Sequence, residues 1–321
     1  MEILREESFD IDLRPKSIDD YIGQDEVKKQ IKIFVDASKK TGKTLDHILI
    51  GGPPGLGKTS LAQVIARELG KNIVFTSGPV LEKKGDIAGI LSSLEEGDIL
   101  FIDEIHRLNP SVEEALYPAM EDFCLDIIIG KGSSSRSVRI DIPPFTLIGA
   151  TTRSGMLTSP LISRFGIILH IDYYDTDSLT RIVLRSAKIL GIKITENGAR
   201  EIARRSRGTP RIANRFLKRV YDFAVVKKDG TVTEDTAREA LDFLGIDSYG
   251  LDSRDRKYLQ IIIEKFNGKP VGLNTLSSAL SEDRYTIEEI IEPFLLRSGF
   301  IERTPKGRKP TDKALKIFKK I

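Results

Sequence analysis

The chain has no tryptophan, one cysteine, three methionines and three histidines in 321 residues. A lone thiol, Cys124, excludes an internal disulfide, and His47, His106 and His170 lack the short spacings of a zinc site, so stability has to come from a packed core. Also missing is any apolar run near the roughly 20 residues of a membrane-spanning helix, and the opening MEILREESFDID is acidic where a secretory signal would be basic and then apolar. The expectation is a cytoplasmic chain without membrane contact. Fourteen Pro and 26 Gly are scattered rather than clustered, and 40% apolar with 30% charged residues excludes disordered, collagen-like and low-complexity classes. One core seldom organises a chain of this length, which points to two or three domains.

What is present is unevenly distributed. Residues 1–176 carry 20 Lys and Arg against 27 Asp and Glu, residues 177–247 carry 15 against 10, and residues 248–321 carry 15 against 10. Within residues 300–321 the tally is 8 against 2, a density that suits a polyanion, a solvated helical face being the plain alternative.

Between residues 47 and 171 five short apolar runs, HILI, NIVFT, DILFID, FTLIGA and GIILHI, alternate with helical periodicity. That alternation predicts an α/β fold with a mostly parallel sheet under helices. Strand signals stop after Tyr174, and residues 177–190, 196–206, 210–226 and 233–244 read as amphipathic helices. GIDSYGLD at 245–252 has no period and marks a boundary. Three further helices and the basic hairpin FIERTPKGRKPT have the layout of a winged helix, for docking on DNA or on protein. The expected domains are 1–176, 177–247 and 248–321.

GPPGLGKT at 52–59 matches G-x-x-x-x-G-K-T between a strand and a helix. Gly52, Gly55 and Gly57 let backbone N–H groups turn toward phosphate, Lys58 reaches the β and γ phosphates, and the Thr59 hydroxyl can ligate Mg²⁺. A dinucleotide-binding turn would require glycine where Ser60 stands. The apolar run Ile99–Ile102 then delivers Asp103 and Glu104 to the carboxyl end of a buried strand, where α/β ligand sites open. Asp103 suits Mg²⁺ and Glu104 suits polarising a water, so the pair points to hydrolysis rather than to a plain surface pair.

These motifs, with LRPKSIDDYIGQ at 13–24, LFIDEIHRL at 100–108, FTLIGATTRSG at 145–155, SRFG at 163–166, RSRGTPRIANR at 205–215 and ERTPKGR at 302–308, resemble the AAA+ ATPases and, among them, the RuvB family of motors. The resemblance implies an AAA+ P-loop ATPase domain with a parallel sheet, a helical lid domain and a C-terminal winged-helix domain. Its implied activity is ATP-driven branch migration of Holliday junctions in recombination, repair and the SOS response, by a homo-hexamer on duplex DNA with RuvA, and with RuvC in the resolving complex. ATP and Mg²⁺ are the implied cofactors. Catalytic roles fall to Asp103, Glu104, Thr152 as γ-phosphate sensor and Arg164 as a finger reaching the neighbouring subunit. Nucleotide contacts extend to Leu13, Arg14, Gly55, Gly57, Lys58, Thr59, Ser60, the triplet Glu121, Asp122 and Phe123, Tyr174, and Arg211 as second sensor. Arg284, Arg303 and Arg308 are the candidate DNA contacts. Ile127, Ile128 and Ile129, on a hairpin expected before the fourth strand, are the candidate RuvA contacts. Taken without the resemblance, the residues also suit an ATP-switched initiator or clamp loader, or a protein-remodelling ATPase.

Overall fold

The computed structural model describes residues 13–129 and 136–318, apart from the side chains of 127–129 and 136–137. Its contacts divide the chain into two compact units, one of residues up to Ile182 with Thr209–Asn214, the other of Val183–Gly208 with Arg215 onward.

In the first unit, strands β1 (Ile48–Gly51), β2 (Ile73–Ser77), β3 (Ile99–Asp103), β6 (Thr146–Thr151) and β7 (Ile167–His170) form one parallel sheet in the order β2-β3-β6-β1-β7. Each lies within one residue of the apolar run that announced it. All six residues of β6 are buried, as expected for a central strand covered on both faces. Helix α1 (Asp25–Thr41) precedes β1, and α2 (Lys58–Leu69), α3 (Lys84–Leu91), α4 (Pro110–Glu121) and α5 (Ser159–Ile162) lie between successive strands. Helix α4 begins where the Asn109 side chain accepts from Ser111 N–H and Pro110 occupies a position with no hydrogen bond to lose. Leu100, Ile102, Leu147, Phe145, Val112 and Leu116 lie at the centre of the core. Outside the sheet, β4 (Cys124–Ile129) and β5 (Arg136–Asp141) form the expected hairpin, antiparallel with Ile127 opposite Val138.

Helix α6 (Thr176–Leu190) leaves the sheet, followed by α7 (Glu196–Arg205), α8 (Pro210–Lys227) and α9 (Glu234–Phe243), each within one residue or so of its predicted span. The winged helix consists of α10 (Ser253–Gln260) running into a π turn, α11 (Leu273–Leu280), and a third helix of α12 (Arg284–Thr286), a π turn (Ile287–Ile291) and α13 (Glu292–Arg297). The wing β8 (Ile301–Thr304) and β9 (Gly307–Pro310) precedes α14 (Asp312–Phe318). Tyr258, Ile262, Leu276, Ile287, Leu295 and Phe300 form its core. Pro310 occupies the last ladder position, opposite Ile301.

The aperiodic stretch at 245–251 is held down by arginines. Arg256 donates to the carbonyls of Gly245 and Leu251, Arg205 to Ile246, Arg204 to Ser248 and Arg207 to Gly250, at 2.7–2.9 Å. Five carbonyls with no ladder to join are thereby satisfied. Among the described residues no helix is long and apolar enough to cross a membrane.

Candidate active site

The phosphate loop leaves the carboxyl end of β1 and enters α2 through Gly57, whose φ of 100° suits glycine and where a Cβ would meet the Tyr21 hydroxyl at 2.9 Å. Gly55, at φ 77°, leaves room for the segment carrying Thr209 and Arg211, whose side chains would lie 2.9 and 3.3 Å from a Cβ there. Arg211 N–H also points to the Gly55 carbonyl at 3.4 Å. Lys58 is buried, and its ammonium donates to the carbonyls of Gly52 (2.7 Å) and Pro53 (2.9 Å). Burial lowers its pKa, the charges of Asp103 and Glu104 oppose that shift, and the Arg211 charge adds to it. Thr59 and Ser60 are half-buried in the first turn of α2. Tyr174 donates to the Leu56 carbonyl at 3.3 Å and Tyr21 to that of Gly57 at 3.3 Å, and burial raises both phenols. Leu13 is buried and Arg14 half-buried at the start of the same N-terminal segment.

The sheet order does the rest, because β3 and β1 flank β6 and all three end at one edge. Asp103 Oδ1 accepts from Glu104 N–H at 2.9 Å. Glu104 has a left-handed φ of 49°, an uncommon conformation for a side-chain-bearing residue, and starts a short 3₁₀ turn at Ile105–Arg107. Its Oε2 accepts from the Thr152 hydroxyl at 3.2 Å. His106, not singled out by the sequence, places Nε2 3.3 Å from the same oxygen and Nδ1 2.9 Å from the Thr151 hydroxyl. Its side chain is only 4% exposed, and burial lowers its pKa. The DEIH spacing brings the imidazole near the carboxylates, but nothing in it reveals Thr151.

Within one chain Arg164 and the Glu121–Phe123 triplet are not brought to this edge. His47, immediately before β1, accepts from Leu147 N–H through Nδ1 (2.9 Å) and therefore donates from Nε2 to the Met120 carbonyl (3.0 Å), while its own carbonyl takes the Ile167 N–H. Residues 120–123 and the start of β7 thus lie at the amino end of β1, about 13 Å of strand from the phosphate loop. There Arg164 stacks 4.3 Å above Tyr117, pairs with Glu121 at 3.1 Å and donates to the Pro160 carbonyl at 2.6 Å. Its Nε is buried with no partner among the described residues.

On the wing, Arg303 and Arg308 converge on the buried Glu292 carboxylate at 2.6 and 2.7 Å, and Arg308 also reaches Glu288 at 2.8 Å. Arg308 is only 13% exposed beside this buried acid, whereas Arg303 is half exposed. Arg284 does not join them and lies exposed at the start of α12. On the hairpin, Ile127–Ile129 fall on β4 with their side chains outside the described residues, while Val138 and Ile140 on β5 are about 40% exposed apolar residues that the sequence reading passed over.

Known proteins agree with this layout. The model of the Holliday junction DNA helicase RuvB P-loop domain matches residues 13–171, that of the RuvB AAA lid domain residues 174–247, and that of the RuvB C-terminal winged helix domain residues 248–319. The Holliday junction branch migration complex subunit RuvB of Rubrobacter xylanophilus is 58% identical over 306 residues, covering 95% of this chain and 86% of its own. The Thermotoga maritima RuvB Holliday junction branch migration motor superimposes with a TM-score of 0.85 at 53% identity over 96% of this chain and 98% of that one, and one of its point mutants with 0.86. With the P-loop domain, the lid and the winged helix matched in turn along the chain, the protein belongs to the RuvB family of Holliday junction branch migration ATPases.

Proposed function

We propose that the chain works as a cytoplasmic homo-hexameric ring in which each ATP is held between two subunits. The observation that carries this reading is the separation of the site into two edges. The phosphate loop, Asp103, Glu104 and Thr152 end one edge of the sheet, and Arg164 with Glu121, Asp122 and Phe123 occupies the other, so both sets meet a nucleotide only across two copies. The orphaned Nε of Arg164 supports a second position for that side chain.

In this reading residues 1–176 are the ATPase domain, 177–247 the lid and 248–321 the DNA-binding head. Leu13, Arg14, Ser60 and Tyr174 border the nucleotide beside the loop glycines Gly55 and Gly57. Lys58 holds the β and γ phosphates, and Arg211 carries the state of the pocket into the lid. The Thr59 hydroxyl and the Asp103 carboxylate fit Mg²⁺, which favours a few hard oxygens with water and phosphate; no cluster of three His, Cys, Asp or Glu suited to a metal occurs among the described residues. Mg²⁺ bound there would neutralise phosphate charge. Glu104 orients and polarises the attacking water, Thr152 senses the γ phosphate, and Arg164 of the neighbour stabilises charge in the transition state.

On the head, Arg284 and Arg303 are the DNA contacts best supported, with Arg308 contributing mainly through the wing's shape. The β4–β5 hairpin is the docking site for RuvA, through Ile127–Ile129 with Val138 and Ile140, in an assembly that RuvC joins for resolution. The test is movement of a synthetic four-way junction with ATP, with and without RuvA. Wild-type rings are expected to move it and Lys58→Ala rings to bind without moving it; migration by Lys58→Ala would refute the assignment of this pocket as the energy source.

A further inference from the structure

We propose that His106 is a positioning residue for Glu104, holding one carboxylate oxygen so that the other is presented to the attacking water. The inference deepens the proposed hydrolytic role of Glu104 and rests on it. Its starting point is a hydrogen-bond chain between segments 45 residues apart. Thr151, fully buried at the end of β6, accepts the Arg153 N–H at 3.0 Å through its hydroxyl oxygen. A hydroxyl has one proton to give, and His106 Nδ1 lies 2.9 Å away. If Nδ1 carried the ring proton instead, the Thr151 proton would be buried without an acceptor. Nδ1 therefore accepts, and the proton of the neutral ring sits on Nε2.

That proton faces Glu104. Nε2 lies 3.3 Å from Oε2, the same oxygen that accepts from Thr152. Both contacts that are resolved fall on Oε2. The Glu104 backbone, held at φ 49°, with its carbonyl taking the Arg107 N–H at 2.8 Å, turns His106 back over the carboxylate. With Oε2 accepting from the Thr152 hydroxyl and the imidazole Nε2 set 3.3 Å from the same oxygen, the carboxylate is restrained on that side, and Oε1 is the oxygen left to the water. Thr151 and Thr152 are consecutive, so any shift of the end of β6 moves both supports of Glu104 at once. A buried histidine serving only to fill space would require neither the Thr151 hydroxyl nor this tautomer.

The experiment measures ATP turnover and nucleotide affinity of the full chain in the presence of DNA, for His106→Gln, His106→Asn, His106→Phe and Glu104→Gln, with the His106→Phe/Glu104→Gln double variant. Gln extends an N–H about as far as Nε2, whereas Asn stops near Nδ1. The expected result is a kcat loss on the order of 10- to 100-fold for His106→Phe and His106→Asn with nucleotide affinity unchanged, substantial rescue by His106→Gln, and no further loss when His106→Phe is added to Glu104→Gln. Equal turnover by His106→Gln and His106→Asn would overturn the proposal, even if His106→Phe fails to fold. Full turnover by Glu104→Gln would instead remove the hydrolytic reading of Glu104, a different failure with its own signature.

Discussion

Glu292 permits a quantitative prediction. Its side chain is fully buried and accepts hydrogen bonds from Tyr258 Oη at 2.9 Å, Arg308 Nε at 2.7 Å and Arg303 Nη2 at 2.6 Å. Burial, reinforced by the neighbouring Glu292 charge, keeps the Tyr258 phenol un-ionised far above neutral pH, so it serves as a donor throughout the working range. Replacing Glu292 by Met leaves the largely buried Arg308 with only the half-exposed Glu288. Breaking one partner of such a pair costs about 3–5 kcal/mol, while replacing both by apolar groups of similar volume is often close to neutral. At about 1.4 kcal/mol per tenfold, the single change should accelerate amide exchange in the wing, residues 301–310, on the order of 100-fold or more, and Glu292→Met/Arg308→Met should recover most of the protection. Hydrogen exchange followed by mass spectrometry reads this locally, which matters in a chain of several domains where one global unfolding midpoint is ill-defined. Acceleration of less than tenfold, or a double variant as unprotected as the sum of the singles, would refute the reasoning.

The same cluster lowers the number of phosphate contacts expected from the wing: Arg303→Ala should reduce the salt slope of DNA binding by about 1, and Arg308→Ala should act through wing stability instead. Mixed rings of Arg164→Ala and Lys58→Ala subunits should regain ATP turnover that neither variant has alone, and its absence in verified mixed rings would exclude a site shared between copies. Burial lowers the His47 pKa below the roughly 6.5 of an unfolded chain, so the stability it contributes is complete above that pH and lost as the pH falls toward the folded value. Amide protection factors in β1, residues 48–51, should therefore fall more between pH 7 and 5.5 in the wild type than in His47→Gln. Finally, Ile128→Asp should weaken RuvA binding at least tenfold in a folded protein, and unchanged affinity would remove β4 from that surface.

Much of this architecture was legible in the residue order because its causes are local. A run such as Ile99–Ile102 is strand wherever both faces are covered, the 3.6-residue period of 177–190 is a helix, and GPPGLGKT prescribes its own loop because its glycines and its lysine act within eight residues. The winged helix followed from the same kind of reading. Groups that act across distance were not legible. His106 looks like any histidine until β6 brings Thr151 beside it, and GIDSYGLD looks like a slack linker until four arginines, three on α7 and α10 and one in the turn after α7, reach its carbonyls. A count of charge is incomplete in the same way, since Arg308 is one of the wing's basic residues and also faces a buried acid. Sequence alone determined the elements, their order and the chemistry of the phosphate loop, all set by neighbours along the chain. Which oxygen of Glu104 is held, which arginine is already neutralised, and which edge of the sheet carries Arg164 were decided only when the fold brought distant residues within about 3 Å, where desolvation and hydrogen-bond geometry govern.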